Sequence, residues 1–237
     1  MIRSEQVSQW RSHSISTQAQ PKPMNHIQLH SAQQSSTATP TKLVCLGRNY
    51  AAHAKELNNP VPTTPVIFLK PNSCISQQLI LPKDEHEVHY ETELCFMVKD
   101  NKLHAVGVGL DLTKRNLQQQ LKSQGLPWEQ AKCFDGAAVL SHFIPLAECI
   151  ETSLDAHTFS ISLHVNGRLA QEGNNHDMLT QPEAFLAAAL TFMSLEDGDI
   201  LMTGTPKGVG PVHSGDELVA RVYRDEQLLI QCEWKAK

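Results

Sequence analysis

The stretch FSISLHVNG (159–167) carries the clearest information about the fold. Its apolar residues at positions 159, 161, 163 and 165 alternate with polar ones, and a period of two is typical of a strand with one buried face. The Asn166-Gly167 pair that ends the run favours the type I′ turn of a two-residue hairpin. The sequence therefore predicts an antiparallel hairpin that begins at residue 159.

Similar patterns occur on both sides of this hairpin. Near the C-terminus, apolar residues alternate through 218–222 and 228–234 on either side of Asp225-Glu226, which predicts a second hairpin. Upstream, Pro, Asn and Gly separate short apolar runs at 43–46, 66–69, 79–81, 94–98 and 106–110. Short apolar runs bounded by turn residues indicate strands. Most of the chain after Leu43 is therefore expected to be β-structure.

Helix signals are fewer. Thr180-Gln-Pro-Glu183 has the form of a capping box and predicts a helix over 184–193. Thr113 is expected to open a polar helix that Gly125 ends. The predicted fold class is α+β and predominantly β, with a few short helices.

Composition limits the function classes. The 237 residues are 41% apolar and 19% charged, with a formal net charge of -5, so we expect a folded globular protein and no nucleic-acid partner. No apolar run is long enough to cross a bilayer, which argues against a membrane protein. The six cysteines form no C-x-x-C pair, and with no secretory signal pattern this favours a reducing, cytoplasmic location.

The N-terminal segment differs in composition from the rest. Nineteen of its first 41 residues are Ser, Thr or Gln, and such a segment lacks the apolar residues needed to offset its ordering entropy. We expect a loosely ordered tail over 1–41 and a single domain over 42–237. An acid-poor start with arginines is also compatible with a transit peptide, and Met24 is a second possible start.

Three acidic residues are candidate metal ligands. A strand would place Glu91 and Glu93 on the same face, pointing toward an apolar layer. Asp111 follows the apolar run 106–110, at a strand end where sites are often built. If the three converge, they form an oxygen site suited to Mg²⁺, with Mn²⁺ as a substitute. The alternative is a solvated strand end and an ordinary turn aspartate.

Other side chains could act on a bound molecule. His53 and Glu56 meet on one face if their segment is helical, and such a pair can share a proton and activate water. Lys132 could stabilise an enolate or hold a carboxylate. For each of these residues the alternative is a solvated side chain. The Gly- and Thr-rich loop 203–210 allows its backbone N–H groups to approach an anion, although it lacks the order of a P-loop.

Seven motifs in this order resemble the fumarylacetoacetate hydrolase superfamily, and most closely its acylpyruvate hydrolase and oxaloacetate decarboxylase branch. The resemblance runs from about residue 43 to about residue 234. The motifs are GRNYAAHAKEL (47–57), PVIFLKP (65–71), the E-x-E of 91–93, LDLTKRNLQ (110–118), GLPWEQAKCFD (125–135), VNGRLAQEGN (165–174) and GDILMTGTPKGVGPV (198–212).

The resemblance implies roles for nine residues and a fold. It implies that Glu91, Glu93 and Asp111 bind Mg²⁺, which chelates a 2-oxo acid substrate. It also implies a layered β-sheet roll that forms a homodimer. The remaining implied residues are a His53–Glu56 dyad on a short lid helix, Lys132 beside the substrate oxyanion, and the substrate contacts Arg48, Gln118 and Thr205.

The function implied is a Mg²⁺-dependent hydrolase that cleaves the C–C bond of acylpyruvate-type 2,4-dioxo acids. The alternatives are an oxaloacetate decarboxylase or tautomerase, an isomerase or decarboxylase of dienoates from aromatic catabolism, and a non-catalytic binding protein of this fold. Two residues depart from the family pattern: Lys114 replaces a small residue, and Asn116 replaces an aspartate. Both changes are expected to make the region near the site more positive.

Overall fold

Seventeen strands and four α-helices run through the residues that the computed structural model describes, which are 23–57, 60–84 and 86–237. The predominantly β fold predicted from the sequence is confirmed. The helices are α1 (Ala51–Glu56), α2 (Arg115–Ser123), α3 (Glu129–Lys132) and α4 (Pro182–Leu190). The strands are β1 (Ile27–Leu29), β2 (Ser36–Ala38), β3 (Lys42–Gly47), β4 (Val66–Pro71), β5 (Ile75–Ser76), β6 (Val88–Tyr90), β7 (Thr92–Lys99), β8 (Lys102–Asp111), β9 (Thr113–Lys114), β10 (Ala138–Leu140), β11 (Ile144–Pro145), β12 (Phe159–Val165), β13 (Arg168–Asn174), β14 (Ile200–Met202), β15 (Gly210–Pro211), β16 (Glu217–Arg224) and β17 (Gln227–Lys235).

The strands form four sheets. The largest has the order β4-β3-β14-β7-β8-β10-β5, with β11 also paired to β8. Its β14–β3 and β10–β5 pairs are parallel and its other pairs are antiparallel. A second, antiparallel sheet has the order β13-β12-β16-β17, and two small sheets contain β15-β6-β9 and β1-β2.

Both faces of the large sheet are covered, which explains why its central strands do not alternate. Every residue of β7 except Lys99 is buried. One face, including Phe96, packs in a core that contains Phe159 and other residues of the four-stranded sheet. The opposite face packs in a second core with Ile27 and Phe143. A strand buried on both faces reads as a continuous apolar run, as residues 94–98 do.

The two predicted hairpins are confirmed. In the first, β12 pairs antiparallel with β13, and Asn166 and Gly167 both have positive φ, at 50° and 76°. Both turn residues of a type I′ turn need such angles. In the second hairpin, β16 pairs with β17, and Asp225 has a φ of 53°.

The tail prediction needs correction where the structure describes it. Residues 1–22 lie outside the described residues, but residues 27–29 and 36–38 pair as β1 and β2. Ile27 is buried in the second core, and the side chain of Asn72 bonds to the backbone of Asn25. Leu29 and Ala38 also pack against this core. The Ser- and Thr-rich composition obscures these few apolar anchors, so the ordered chain begins earlier than residue 42.

Three predicted element bounds also shift. The helix expected at 184–193 is α4, and its N-cap is Gln181 without a side-chain capping bond. Thr113 lies in β9, so α2 begins two residues later. Residues 79–81 form no strand; the backbones of Leu79 and Leu81 instead bond to that of Lys237.

A buried aspartate ties the start of β3 to the turn before β14. The carboxylate of Asp199 is fully buried and accepts hydrogen bonds from the backbone N–H groups of Thr41, Lys42 and Glu196. It also accepts from the hydroxyl of Thr41 and, at 2.6 Å, from the ammonium of Lys42. Burial alone would raise the pKa of Asp199, but these hydrogen bonds outweigh it and lower the pKa.

Replacement of Asp199 by Ala is expected to lower the free energy of unfolding by roughly 3 kcal/mol, because several donors lose their acceptor. A carboxyl with a lowered pKa stabilises the fold above its unfolded pKa, and this contribution is lost as pH falls through the folded pKa. The difference between wild type and Asp199→Asn should therefore shrink below about pH 4. Urea unfolding at pH 7 and pH 3 measures these differences in the free energy of unfolding. Equal stability of Asp199→Ala and the exposed control Asp197→Ala at pH 7 would contradict the structural role of Asp199.

Candidate metal centre and active site

Strand ends bring the three predicted carboxylates together. Glu91 is the single residue between β6 and β7, Glu93 lies near the start of β7, and Asp111 ends β8. The backbone N–H of Asp111 donates to the carbonyl oxygen of Glu91 at 2.8 Å. One carboxylate oxygen from each of the three residues lies within 4.8 Å of the others, and all three residues are buried. They form the acidic triad.

Three cationic side chains face the acidic triad. The ammonium of Lys132 lies 2.6 Å from Asp111 Oδ2 and 2.9 Å from Glu91 Oε2. Arg115 donates to the other oxygen of Glu91. Lys70, which is fully buried, places its Nζ 2.8 Å from Asp111 Oδ1. Buried carboxylates are costly unless cations balance them, so these contacts make the triad possible in the fold.

The triad members differ in electrostatic environment. Burial alone would raise the pKa of Glu91, but Lys132 and Arg115 outweigh it and hold the pKa well below its usual range. For Glu93, burial and the nearby charges of Asp111 and Glu91 raise the pKa well above its usual range. Burial lowers the pKa of Lys132, but Asp111 and Glu91 more than compensate and raise it, so its ammonium stays charged.

The donor set fits a hard divalent cation. Three carboxylates from three residues offer only oxygen ligands, which suit Mg²⁺ or Mn²⁺. Burial and the neighbouring carboxylates raise the pKa of Glu93, and a bound cation would relieve this repulsion.

The Gly- and Thr-rich loop binds carboxylates of the protein itself. The N–H of Gly204 donates to Glu93 Oε2 at 2.9 Å, and the N–H of Gly208 donates to Glu56 Oε1 at 2.9 Å. Gly204 has a φ of 92°, and a Cβ there would lie 2.8 Å from the carbonyl oxygen of Leu46. Only glycine fits this backbone position. The loop thus orients one carboxylate of the acidic triad and the carboxylate of Glu56.

Helix α1 is fixed at its start and holds the predicted dyad. The side chain of Asn49 donates to the carbonyl oxygens of Thr180 and Thr203 and accepts from the N–H of Thr180. One turn later, His53 is buried and its Nδ1 lies 3.3 Å from Glu56 Oε2. The i, i+3 contact predicted from the spacing is therefore present.

One cleft, which we name the inner cleft, collects eight of the nine predicted site residues. It is lined by the acidic triad and by Arg48, His53, Gln118, Lys132 and Thr205. Glu56 does not line the inner cleft; it contacts His53 from behind and lines an adjoining cleft, the outer cleft. This arrangement favours a role for Glu56 through His53.

Sequence reasoning missed three residues that shape the site. Lys70 and Arg115 lie in motifs quoted above, but neither was given a role, although both contact the acidic triad. The third is Gln171, a buried residue of β13. Its Oε1 accepts from the N–H of Thr92, and its Nε2 donates to Thr205 Oγ1 at 2.8 Å. A lysine that closes the apolar run 66–69 is the one signal that could have identified Lys70.

The two departures from the family pattern do not add charge to the inner cleft. Lys114 pairs with Asp84 and places its Nζ 4.9 Å from the centre of the Phe134 ring. Asn116 is exposed on α2. Neither residue lines the inner cleft; the side chain of Lys114 is directed toward Asp84.

Comparisons with known proteins agree with this geometry. Residues 42–231 match the family model described as fumarylacetoacetate hydrolase, C-terminal. The chain is 40% identical to the mitochondrial oxaloacetate tautomerase of Schizosaccharomyces pombe over 83% of this chain and 95% of that protein. It is 41% identical to the oxaloacetate tautomerase of Escherichia coli K12 over 75% of this chain and 86% of that protein.

A solved structure is also similar. The fumarylpyruvate hydrolase from Pseudomonas aeruginosa, in complex with Mn²⁺ and pyruvate, superposes with a TM-score of 0.79 at 26% identity, covering 92% of this chain and 99% of that one.

Among the helices that the structure describes, none is long and apolar enough to span a membrane.

Metal binding should displace a proton from the acidic triad. The raised pKa of Glu93 means that the metal-free fold holds a proton that the unfolded chain releases. The stability of the metal-free protein should therefore fall as pH rises through the folded pKa, and added Mg²⁺ should restore it. Titration calorimetry with Mg²⁺ in two buffers of different ionisation enthalpy counts the protons released on binding. No proton release by wild type at pH 6, or the same release by Glu93→Gln, would contradict the displacement of a proton from Glu93.

Gln171→Leu should weaken the site without changing its ligands. The substitution removes the bond from the N–H of Thr92, which lies between Glu91 and Glu93, and the bonds to the Thr205 hydroxyl and the Pro206 carbonyl oxygen in the Gly- and Thr-rich loop. We expect an affinity for Mn²⁺ lower by roughly tenfold, the size reported for residues that support metal ligands. Mn²⁺ affinity of Gln171→Leu equal to that of wild type would refute the positioning role.

Proposed function

The chain belongs to the fumarylacetoacetate hydrolase family, and on this basis we propose that it is a divalent-metal-dependent oxaloacetate tautomerase. The observation that carries the proposal is the inner cleft, where a buried acidic triad, a charged lysine and a histidine face one space. Two relatives at 40% and 41% identity that carry this name support it. This conclusion favours the tautomerase alternative over the hydrolase that the motifs first suggested.

The proposed metal is Mg²⁺, held by Glu91, Glu93 and Asp111. When bound, it would polarise the 2-oxo group of the substrate and stabilise negative charge on the adjoining oxygen. The protein groups supply the rest of the chemistry. Lys132, whose ammonium already lies within 3 Å of two triad carboxylates, adds a fixed positive charge beside the oxygen that becomes negative.

Tautomerisation moves one proton between oxygen and carbon. In the enol-to-keto direction, the hydroxyl at C2 loses its proton to water, the electron pair of the C2–C3 double bond takes a proton at C3, and the formula is unchanged. We assign the proton at C3 to His53, a buried histidine that lines the inner cleft. Glu56 orients the imidazole through its 3.3 Å contact.

Polar groups complete the proposed substrate site. Arg48, Gln118 and Thr205 line the inner cleft and are assigned to hold the substrate oxygens. The partners proposed are the 2-oxo acid and a second copy of the chain in a homodimer. The cysteines of the described residues are all free, and we retain the cytoplasm as the proposed compartment.

Hydrolysis of acylpyruvates is the second candidate. The His53–Glu56 contact can also activate a water molecule, and an apolar cleft next to the site could accommodate an acyl group. It is lined by Val66, Phe68, Pro127 and Trp128, among others. A solved relative named fumarylpyruvate hydrolase further supports this candidate.

The two functions can be separated by substrate and by variant. We expect purified protein with Mg²⁺ to accelerate the loss of enol absorbance of oxaloacetate, and EDTA to abolish the effect. His53→Ala should lower the rate of tautomerisation roughly 100- to 10,000-fold. Glu56→Gln should lower it only about tenfold, because His53 can still carry the proton. Glu91→Gln serves as the metal-site control and Lys99→Gln as the distant one.

Products decide between the candidates. Acetate released from acetylpyruvate, with Glu56→Gln as inactive as His53→Ala, would overturn the tautomerase in favour of the hydrolase. Pyruvate and CO₂ formed from oxaloacetate at the rate of enol loss would favour the decarboxylase. Oxaloacetate that tautomerises no faster than in buffer would reject the proposal.

A further inference from the structure

One face of α2 borders both clefts of the site. Arg115, Gln118 and Lys122 are spaced at i, i+3 and i+7, which places them on the same side of a helix. All three line the inner cleft with the acidic triad, and all three line the outer cleft with Glu56 and His89. The two clefts are therefore continuous along this helix, and Lys122 lies where they meet.

The inner cleft holds more positive than negative side chains. Among the described residues that line it, the carboxylates are those of the acidic triad, and the cations are Arg48, Arg115, Lys122 and Lys132. Lys70 adds a fifth cation through its contact with Asp111. The contacts of Lys70, Lys132 and Arg115 already engage Glu91 and Asp111. Arg48 and Lys122 are two further cations in the lining of this cleft.

Arg48 is held in a strained conformation that brings it to this cleft. Its φ is 58°, the left-handed region that a non-glycine residue rarely adopts. No carboxylate of the described residues forms an ion pair with its guanidinium. A strained backbone at a ligand site is typical of a residue that is placed for binding.

The electrostatic environment of Lys122 is consistent with this charge distribution. Burial, followed by the nearby charges of Arg48 and Arg115, lowers the pKa of Lys122. Like charges that lower a pKa also raise the energy of the charged lysine. An anion bound among the three side chains would relieve this repulsion.

We propose that Lys122, together with Arg48, binds the second carboxylate of a dicarboxylic 2-oxo acid and so determines the specificity of the site for a dianionic substrate. This inference rests on the proposed function, which places the 2-oxo acid end of the substrate at the acidic triad. The sequence resemblance assigned no role to Lys122.

An apolar cleft that shares Phe68, Trp128 and Lys132 with the inner cleft bears on where the second carboxylate binds. It is lined largely by apolar side chains, and the rings of Phe68 and Trp128 lie edge to face with centroids 6.0 Å apart. The cation of this lining, Lys132, already contacts Glu91 and Asp111, so a carboxylate there would lose its hydration for little compensation, whereas a neutral acyl end fits. The second carboxylate is therefore assigned to Arg48 and Lys122.

The test is equilibrium binding, so that it does not depend on turnover. Calorimetry in Mg²⁺ compares 3,3-difluorooxaloacetate, which has two carboxylates and no hydrogen at C3, with 2-oxobutanoate, which has one carboxylate. Lys122→Gln should weaken binding of the dicarboxylate roughly 10- to 100-fold, which is the effect of losing one hydrogen bond to a charged group. Binding of 2-oxobutanoate should change less than about twofold, since its distal end carries no charge to lose.

Two further variants control for charge. Lys122→Arg, which keeps the charge, should bind the dicarboxylate with an affinity within about threefold of that of wild type. Lys99→Gln removes the same charge at the far end of β7 from the triad and should leave both affinities unchanged. An equal loss for both ligands in Lys122→Gln, or no loss for the dicarboxylate, would overturn the inference.

Failure of the proposed function gives a different result. If wild type does not tautomerise oxaloacetate but Lys122→Gln still selectively loses the dicarboxylate, the function is wrong and the specificity assignment holds. If wild type tautomerises oxaloacetate and Lys122→Gln binds both ligands as before, the function holds and the role of Lys122 is rejected.

Discussion

The site depends on the neutralisation of three carboxylates that the fold buries at the ends of two neighbouring strands. Glu91 and Asp111 face each other across the β7–β8 pair, and each is in contact with a lysine or an arginine that comes from another part of the chain. Removing one cation would leave an unpaired buried charge, which is far more costly than losing an exposed ion pair. The acidic triad is thus also a structural junction, at which β4, α2 and α3 are tied to the central strands.

The large sheet makes this junction rigid. Both of its faces are buried, so β7 and β8 cannot shift without disturbing two hydrophobic cores. The other groups of the site come from loops that hydrogen bonds hold to this sheet: Asn49 fixes the start of α1, and Gly204 bonds to Glu93. The residues proposed to contact the substrate lie on short helices and loops, while the carboxylates of the acidic triad lie at the ends of the rigid strands. This division is suited to the proposed site, in which a cation and a substrate bind side by side.

Much of this could be predicted from the sequence, and the failures have identifiable causes. The alternation in 159–165 and the Asn166-Gly167 turn are local signals, and the hairpin follows from them. The i, i+3 spacing of His53 and Glu56 is equally local. The partners of the acidic triad are not: Lys70 lies 41 residues before Asp111 in the sequence, and only the pairing of β10 with β5 and β8 brings their neighbourhoods together. Likewise, the anchor at Ile27 could not be distinguished from the polar residues around it.

The most direct test of the account is a crystal structure of the protein grown with Mn²⁺ and oxalate, a mimic of the enol form of the substrate. Anomalous scattering from Mn²⁺ locates the metal directly. The account predicts one strong peak coordinated by oxygens of Glu91, Glu93 and Asp111 and by oxalate, with Lys132 beside the ligand. A peak at another place, or full Mn²⁺ occupancy in a crystal of Glu93→Gln, would contradict it.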